Sequence, residues 1–491
     1  MILPLLIIVP LLTAFLITFI GGKKDTAAVI LTLFAVTILL CMSLYSFIIT
    51  GAQTQTYQMS AWAIPYGISL VLDPLSGFMM VMIAIISFTS ALFSIQYIRH
   101  LQQDWKYYAL FMLLLTGMNG VVMTGDIFNL FVFMEIALFA AFGLVAFGGK
   151  AEEYEAAFKY AVMGSVSSTI ILFGIAVIYS ATSSLTMSVI AQRLPLLDQK
   201  MVLWVGGLFM AGFGLKTAAM PFHAWLPDAH SSAPAPISSM LSGVLIKALG
   251  VYVLIRFFFN VLGAPRLFLT LFLVLGSISI LVGVFLAIGQ WDMKRLLAYH
   301  SISQIGYILL GLGLASPLAI FGAVFHMFNH ALFKSLLFYN AGSVELALGT
   351  RNLKHLGNLS RILPVTSGTS MIASLSISGI PPFNGFFSKL VIIIAAIKTG
   401  HPVYALVAVV GSLLTLASFM KVQRYGFHGE KIIEKTVNKV GWSMNLAMIC
   451  LAVLCLVTSA LIIPGIREAI MDPVVNVITQ KSQYLHVVMG R

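Results

Sequence analysis

About fourteen apolar runs, each long enough to cross a hydrocarbon core of roughly 30 Å, limit what this chain can fold into. They lie near residues 2–21, 27–50, 74–98, 107–124, 126–147, 156–180, 201–220, 235–260, 267–289, 296–314, 316–345, 364–398, 403–422 and 441–465. In lipid every backbone N–H and C=O must be satisfied within the protein, which leaves helices or a closed barrel. Long apolar runs without period-2 alternation exclude the barrel. The expectation is an all-α polytopic membrane protein. Of the 491 residues only 9% are charged, against about 25% in soluble domains. The longest interior gap, 423–440, is too short for a soluble domain. The first run lacks a basic flank and a cleavage site, so it reads as a retained helix.

The basic residues give an orientation. Of the 28 Lys and Arg, 16 fall in alternate loops on one side, from Lys23 to Lys439, and 7 on the other. The positive-inside bias puts the rich side in the cytoplasm and both termini outside, in the cell membrane. The net charge of +12 therefore belongs to loops facing a lipid surface, and no nucleic-acid partner follows from it. Cys41, Cys450 and Cys455 all lie in apolar runs without pairing, so they read as packing, and no cluster or haem is expected in this chain.

The remaining five basic residues, Lys216, Lys247, Arg256, Lys334 and Lys389, fall inside runs. Intramembrane charge is costly and points to ion pathways. Lys216 precedes a break carrying Pro221, His223, Pro227, Asp228 and His230, and Lys247 follows in the next run. The elbow histidines read as a polar route inward from the cytoplasmic face, since no third ligand suggests a metal. Glu135 lies nine residues after Asp126, about 13 Å along a helix, near mid-bilayer. A lone carboxyl there is either protonated and bonded to a neighbouring helix or ionised and paired with a cation, for which Lys216 is the best-placed partner. Asp126 and Asp73 read as N-caps. Glu152, Glu153 and Glu155 read as a solvated helix start. Lys294 and Arg295 read as interfacial anchors, with His300 continuing a polar face inward. His326, His330 and Lys334 share one helical stripe at i, i+4, i+8. With a lysine as third member, a proton relay suits them better than zinc. Pro381 and Pro382 break the twelfth run just before Lys389. Two Pro-interrupted runs, each with a buried lysine, are the sequence pointer to inverted repeats.

Together these motifs resemble one family over roughly residues 70–425: the antiporter-like subunits of Mrp-type cation/proton antiporters (the D-like member), of respiratory complex I and of membrane-bound hydrogenase-type complexes. The carriers are the Asp126–Glu135 helix, Lys216 followed by PFHAWLPDAH, Lys247, DMKRLLAYHSISQIGY at 292–307, the His326–Lys334 stripe and GIPPFNGFFSK ending at Lys389. The resemblance implies two inverted five-helix repeats with broken helices 7 and 12. The expected division is 1–106 for helices 1–3, 107–260 and 267–424 for two half-channels, and 425–491 for the last loop, helix 14 and tail. It implies Glu135 and Lys216 as the first half-channel's pair, Lys247 and His330 as the central relay, and Lys389 as the end of the second. The chain ends soon after the fourteenth run, without the long lateral helix of the largest complex I member.

The function expected is translocation of protons, with sodium as a further candidate, by a subunit without catalytic chemistry or cofactor. Its partners would be other membrane subunits. An Mrp-like module of a redox complex is favoured, with a dedicated Mrp antiporter as the alternative. A stand-alone transporter of a small solute would need a roomy midplane site, whereas the polar residues here are ionisable and strung along the chain. A quinone-associated redox subunit lacks cluster or haem ligands.

Overall fold

The computed structural model describes residues 2–20, 25–50, 54–59, 62, 66–101, 104–429 and 438–480. Of the loop lysines and arginines that set the orientation, Lys23, Lys24, Lys431, Lys435, Lys481 and Arg491 lie outside the described residues. In chain order the long helices are α1 (Ile2–Ile20), α2 (Asp25–Thr50), α3 (Pro74–Tyr97), α4 (Asp104–Met123), α5 (Ile127–Val145), α6 (Ala151–Thr182) and α7 (Gln199–Thr217). They continue as α8 (Ala235–Val261), α9 (Arg266–Ile288), α10 (Met293–Leu314), α11 (Pro317–Leu348), the halves α12a (Pro364–Ser378) and α12b (Asn384–Lys398), α13 (Pro402–Val422) and α14 (Trp442–Val457). Among the described residues twelve helices are long and apolar enough to span a bilayer. The interrupted α7 and α12 complete the set, and the protein is a multi-pass membrane protein.

The two breaks are built alike. α7 ends on Ala218 in the left-handed conformation (φ 53°), α12a on Gly379 (φ 78°). A cis X-Pro bond follows each, Met220–Pro221 and Pro381–Pro382. Helix ends inside a membrane leave carbonyls that need donors. Trp225 Nε1 donates to Leu215 O at 3.0 Å, and Lys389 Nζ to Ile377 O at 2.6 Å.

Burial sorts the helices into layers. Residues 235–261 of α8, 301–314 of α10 and 319–344 of α11 are buried throughout. α1, α2, α6, α9 and α13 turn apolar side chains outward, among them Phe19, Ile48, Phe158, Phe285 and Leu406. Such a surface is tolerable against lipid or another membrane subunit.

Contacts between helix ends define two faces. At the Lys/Arg-rich face Asp228 holds Lys159 and Arg295, Arg351 holds Asp292, and Lys421 donates to the carbonyls of Ile288 and Gln290. At the opposite face the Asp126–Thr186 and Leu70–Thr124 bridges join loops, and Asn260 donates to Val477 O. One feature departs from the all-helical expectation there. β1 (Gln55–Gln58) and β2 (Ser69–Leu72) pair antiparallel, Gln55 opposite Leu72. Strand β2 runs into Asp73, whose carboxylate accepts from Ser76 N at 2.8 Å as the cap of α3.

Candidate functional site

Glu135 is half-buried on α5 and meets Lys216 through a third residue. Ser168 of α6 donates its hydroxyl to Glu135 Oε1 in a short hydrogen bond, and accepts from Lys216 Nζ at 3.0 Å. The ammonium also donates to Gly164 O at 3.0 Å. The carboxylate and the lysine thus share one hydroxyl, with no direct salt bridge between them among the described residues. Ser168 was not singled out by sequence, because a serine in an apolar helix usually satisfies itself on a carbonyl one turn back.

Lys247 is fully buried, and its ammonium folds back onto Ser242 O at 2.5 Å. It opens the second of two π-helical turns, at 241–245 and 247–251. Such turns loosen the i→i−4 ladder and gather at functional positions. Ser242 Oγ lies 2.7 Å from Ser301 Oγ, which ties α8 to α10 beside His300. The α7–α8 contact is close: a side chain at Gly250 would strike Thr217, the residue after Lys216.

On α11 the three predicted residues lie along one stripe. The His326 and His330 rings stack with centroids 6.3 Å apart. His326 Nδ1 is 3.0 Å from Ser388 Oγ, next to Lys389. Lys334 donates to Leu297 O of α10 in a short hydrogen bond. Lys389 Nζ stands 4.8 Å over the Tyr307 ring, and that ring lies 5.4 Å from His326. Both ring nitrogens of His230 and of His330 are buried without a protein partner among the described residues. Buried polar atoms of this kind are ordinarily satisfied by water.

Other expectations fall differently. His223 sits at the exposed side of the elbow, within 3.3 Å of Pro221 O. His230 is fully buried. His300 Nε2 is 2.8 Å from Ser418 Oγ of α13. Asp126 caps α5, accepting from Asn129 N at 2.7 Å. Asp228 clamps the elbow between Lys159 Nζ (3.0 Å) and Arg295 Nη1 (2.8 Å). Partial burial raises its carboxyl pKa, but the hydrogen bonds from Lys159 and Arg295 outweigh that and hold it below the usual value. Lys294 is no surface anchor: it is 1% exposed, donates to Ala233 O at 3.0 Å and pairs with Glu345 Oε2 at 3.1 Å. Glu153 is likewise buried rather than solvated. Arg256 forms a buried ion pair with Asp73 and donates to Ser76 Oγ at 2.9 Å.

Two helices broken alike, with a series of buried lysines and histidines along the chain between and beside them, define an antiporter-like membrane subunit. The chain belongs to the NADH:quinone oxidoreductase/Mrp antiporter transmembrane family, whose model matches residues 124–415. Residues 59–112 match the N-terminal segment of complex I chain 5. It is 34% identical to the D subunit of the Na(+)/H(+) antiporter of Alkalihalophilus pseudofirmus, over 89% of this chain and 90% of that one. It is 37% identical to the N subunit of the NADH-quinone oxidoreductase of Desulforudis audaxviator, over 74% of each. It superposes on a chain of the Mrp complex from Dietzia sp. DQ12-45-1b with TM-score 0.92 at 26% identity, and on one of the archaeal membrane-bound sulfane sulfur reductase with TM-score 0.91 at 29%. In each case 99% of both chains is covered.

Proposed function

We propose that this chain carries protons across the cell membrane as one subunit of a multisubunit Mrp-type or redox-driven complex. The observation that carries the reading is the Glu135–Ser168–Lys216 junction, the one place among the described residues where a carboxylate and a buried ammonium share a hydroxyl that can both donate and accept. Protonating Glu135 removes its attraction for Lys216, and neutralising Lys216 removes the reverse, so the junction is a two-state element. From there the order is Lys247, His330 with Lys334, His326, Ser388 and Lys389. Water bridges the steps without direct contact, since titratable chains of this kind conduct protons inside membranes.

In this reading residues 107–260 and 267–424 are the two half-channels, the Lys/Arg-rich face is cytoplasmic, and both termini are outside. The relatives named as sodium/proton antiporter subunits make a coupled exchange the natural readout. The test uses everted vesicles carrying the assembled complex. Glu135→Gln and Lys216→Ala are expected to abolish proton movement while the complex still assembles. Wild-type proton movement in both variants would refute the scheme.

A further inference from the structure

Glu345 was not prominent in the sequence, and the relay just described does not use it. It lines a cavity of about 300 Å³ at the Lys/Arg-rich face. Tyr97 of α3, Lys150 and Glu153 at the start of α6, Asp292 and Lys294 of α10, and Arg351 after α11 face into that cavity. Its two oxygens are divided: Oε2 faces the buried Lys294 ammonium at 3.1 Å, and Oε1 accepts from Arg351 Nη1 at 3.0 Å. Arg351 is held in turn by Asp292 at 2.6 Å.

Beneath this pair the structure continues toward the relay. Glu345 is eleven residues past Lys334 on α11, about three turns and about 16 Å, so both lie on nearly the same side of that helix. Lys294 is one turn from Leu297 on α10, whose carbonyl holds the Lys334 ammonium. At the Lys334 end of that stretch stands His230. It is fully buried, with neither ring nitrogen partnered among the described residues. Its ring centroid is 6.3 Å from that of Phe338, and the Lys334 ammonium lies 5.8 Å from the same ring. His230 is three residues before Ala233, the carbonyl that holds Lys294.

We propose that Glu345 is the proton-loading residue of the Lys/Arg-rich face, joined to Lys334 through His230. The Glu345 carboxylate takes a proton from water in the cavity. It passes that proton to one ring nitrogen of His230, and the other ring nitrogen releases one to the Lys334 amine. Each O–H or N–H bond broken is matched by one formed: Lys334 accepts after passing its own proton along the relay, the carboxylate returns to its starting form, and the imidazole, left as its other tautomer, resets by ring rotation before the next turnover. Lys294 and Arg351 are positioning residues that hold one carboxylate oxygen each in place between turnovers.

The inference rests on the proton-carrying reading, so its test includes that reading's own variant. In everted vesicles carrying the whole complex, ΔpH-dye quenching is followed from about pH 6 to about pH 9, a range over which the proton supply in bulk water falls about a thousandfold. Glu345→Gln is expected to slow transport on the order of tenfold or more at the alkaline end. The deficit should shrink toward acid, where protons reach His230 by mass action. Glu345→Asp should restore most of the rate. A loss equal at every pH and matched by less assembled complex would mean a purely structural residue and overturn the proposal, as would a wild-type profile. If Glu345→Gln does not assemble, Glu345→Asp carries the same test, with a smaller alkaline deficit expected and a flat one overturning it. Should Glu135→Gln transport normally, the parent reading falls. Should Glu135→Gln be inactive while Glu345→Gln matches wild type, only the loading role falls.

Discussion

Ser168 shows what a single hydroxyl adds to two charges. An ammonium and a carboxylate in direct contact in a low-dielectric site hold each other tightly, and neither exchanges its proton readily. A hydroxyl between them accepts from Lys216 while donating to Glu135, so the pair stays coupled without being locked. Ser168→Ala deletes that link and leaves both groups short of a partner, at a cost of about 1–3 kcal/mol. Proton transport in everted vesicles should therefore drop by roughly tenfold or more with assembly intact, and an unchanged rate would show that the bridge is dispensable. The charges were legible at this scale because they contradict their apolar surroundings. Lys216, Lys247, Lys334 and Lys389 stand out in any reading of the runs. What joins them was not legible. Ser168 and Tyr307 are ordinary helix residues until the fold sets each beside a lysine, and Lys294 looks like any loop lysine until Glu345 faces it.

The two broken helices do at the level of the element what regular helices cannot: they present carbonyls inside the membrane. Gly379 makes one break possible. At φ 78° an added Cβ would be strained, and it would also sit 3.1 Å from both Lys389 Cδ and Ser412 Oγ. Gly379→Ala should cost about 1 kcal/mol or more from the backbone alone. A lowered melting temperature in detergent, together with slowed transport from a displaced Lys389, would register it. The other break leads into the elbow clamped by Asp228. Because that carboxyl is held below its usual range, the clamp contributes fully above about pH 4 and is lost as pH falls through the lowered value. Wild-type protein in detergent should lose thermal stability on acidification through that window, and Asp228→Asn should lose less. Prolines announced both breaks in the sequence. The π-helical turns around Lys247 and the β1–β2 hairpin were hidden, since neither has a composition that differs from its surroundings.

Across the whole molecule, the hairpin end is fastened by the buried Arg256–Asp73 pair, which links α8 to the cap of α3. Removing one partner of such a pair leaves a buried charge and costs about 3–5 kcal/mol. Arg256→Ala should consequently lower the amount of folded subunit recovered from membranes, and full recovery would show that the pair is not needed. The long apolar runs made the class readable, whereas the layering and the pairing of distant helix ends needed the fold. Three members of the row, Glu135, Lys247 and Lys389, stand on separate helices, so the steps that join them run sideways. Glu135 is nine residues into α5, Lys247 about twelve into α8, and Lys389 just past the break in α12. A charge moving along such a row travels parallel to the membrane plane and does little work against a transmembrane potential, which is worth about 2.3 kcal/mol per charge per 100 mV only for motion across it. The electrical work therefore concentrates in the two steps that leave the row for the aqueous faces. An imposed voltage should accelerate or retard loading and release while leaving the lateral relay untouched, so a driving complex can set the direction of pumping by acting at the ends alone.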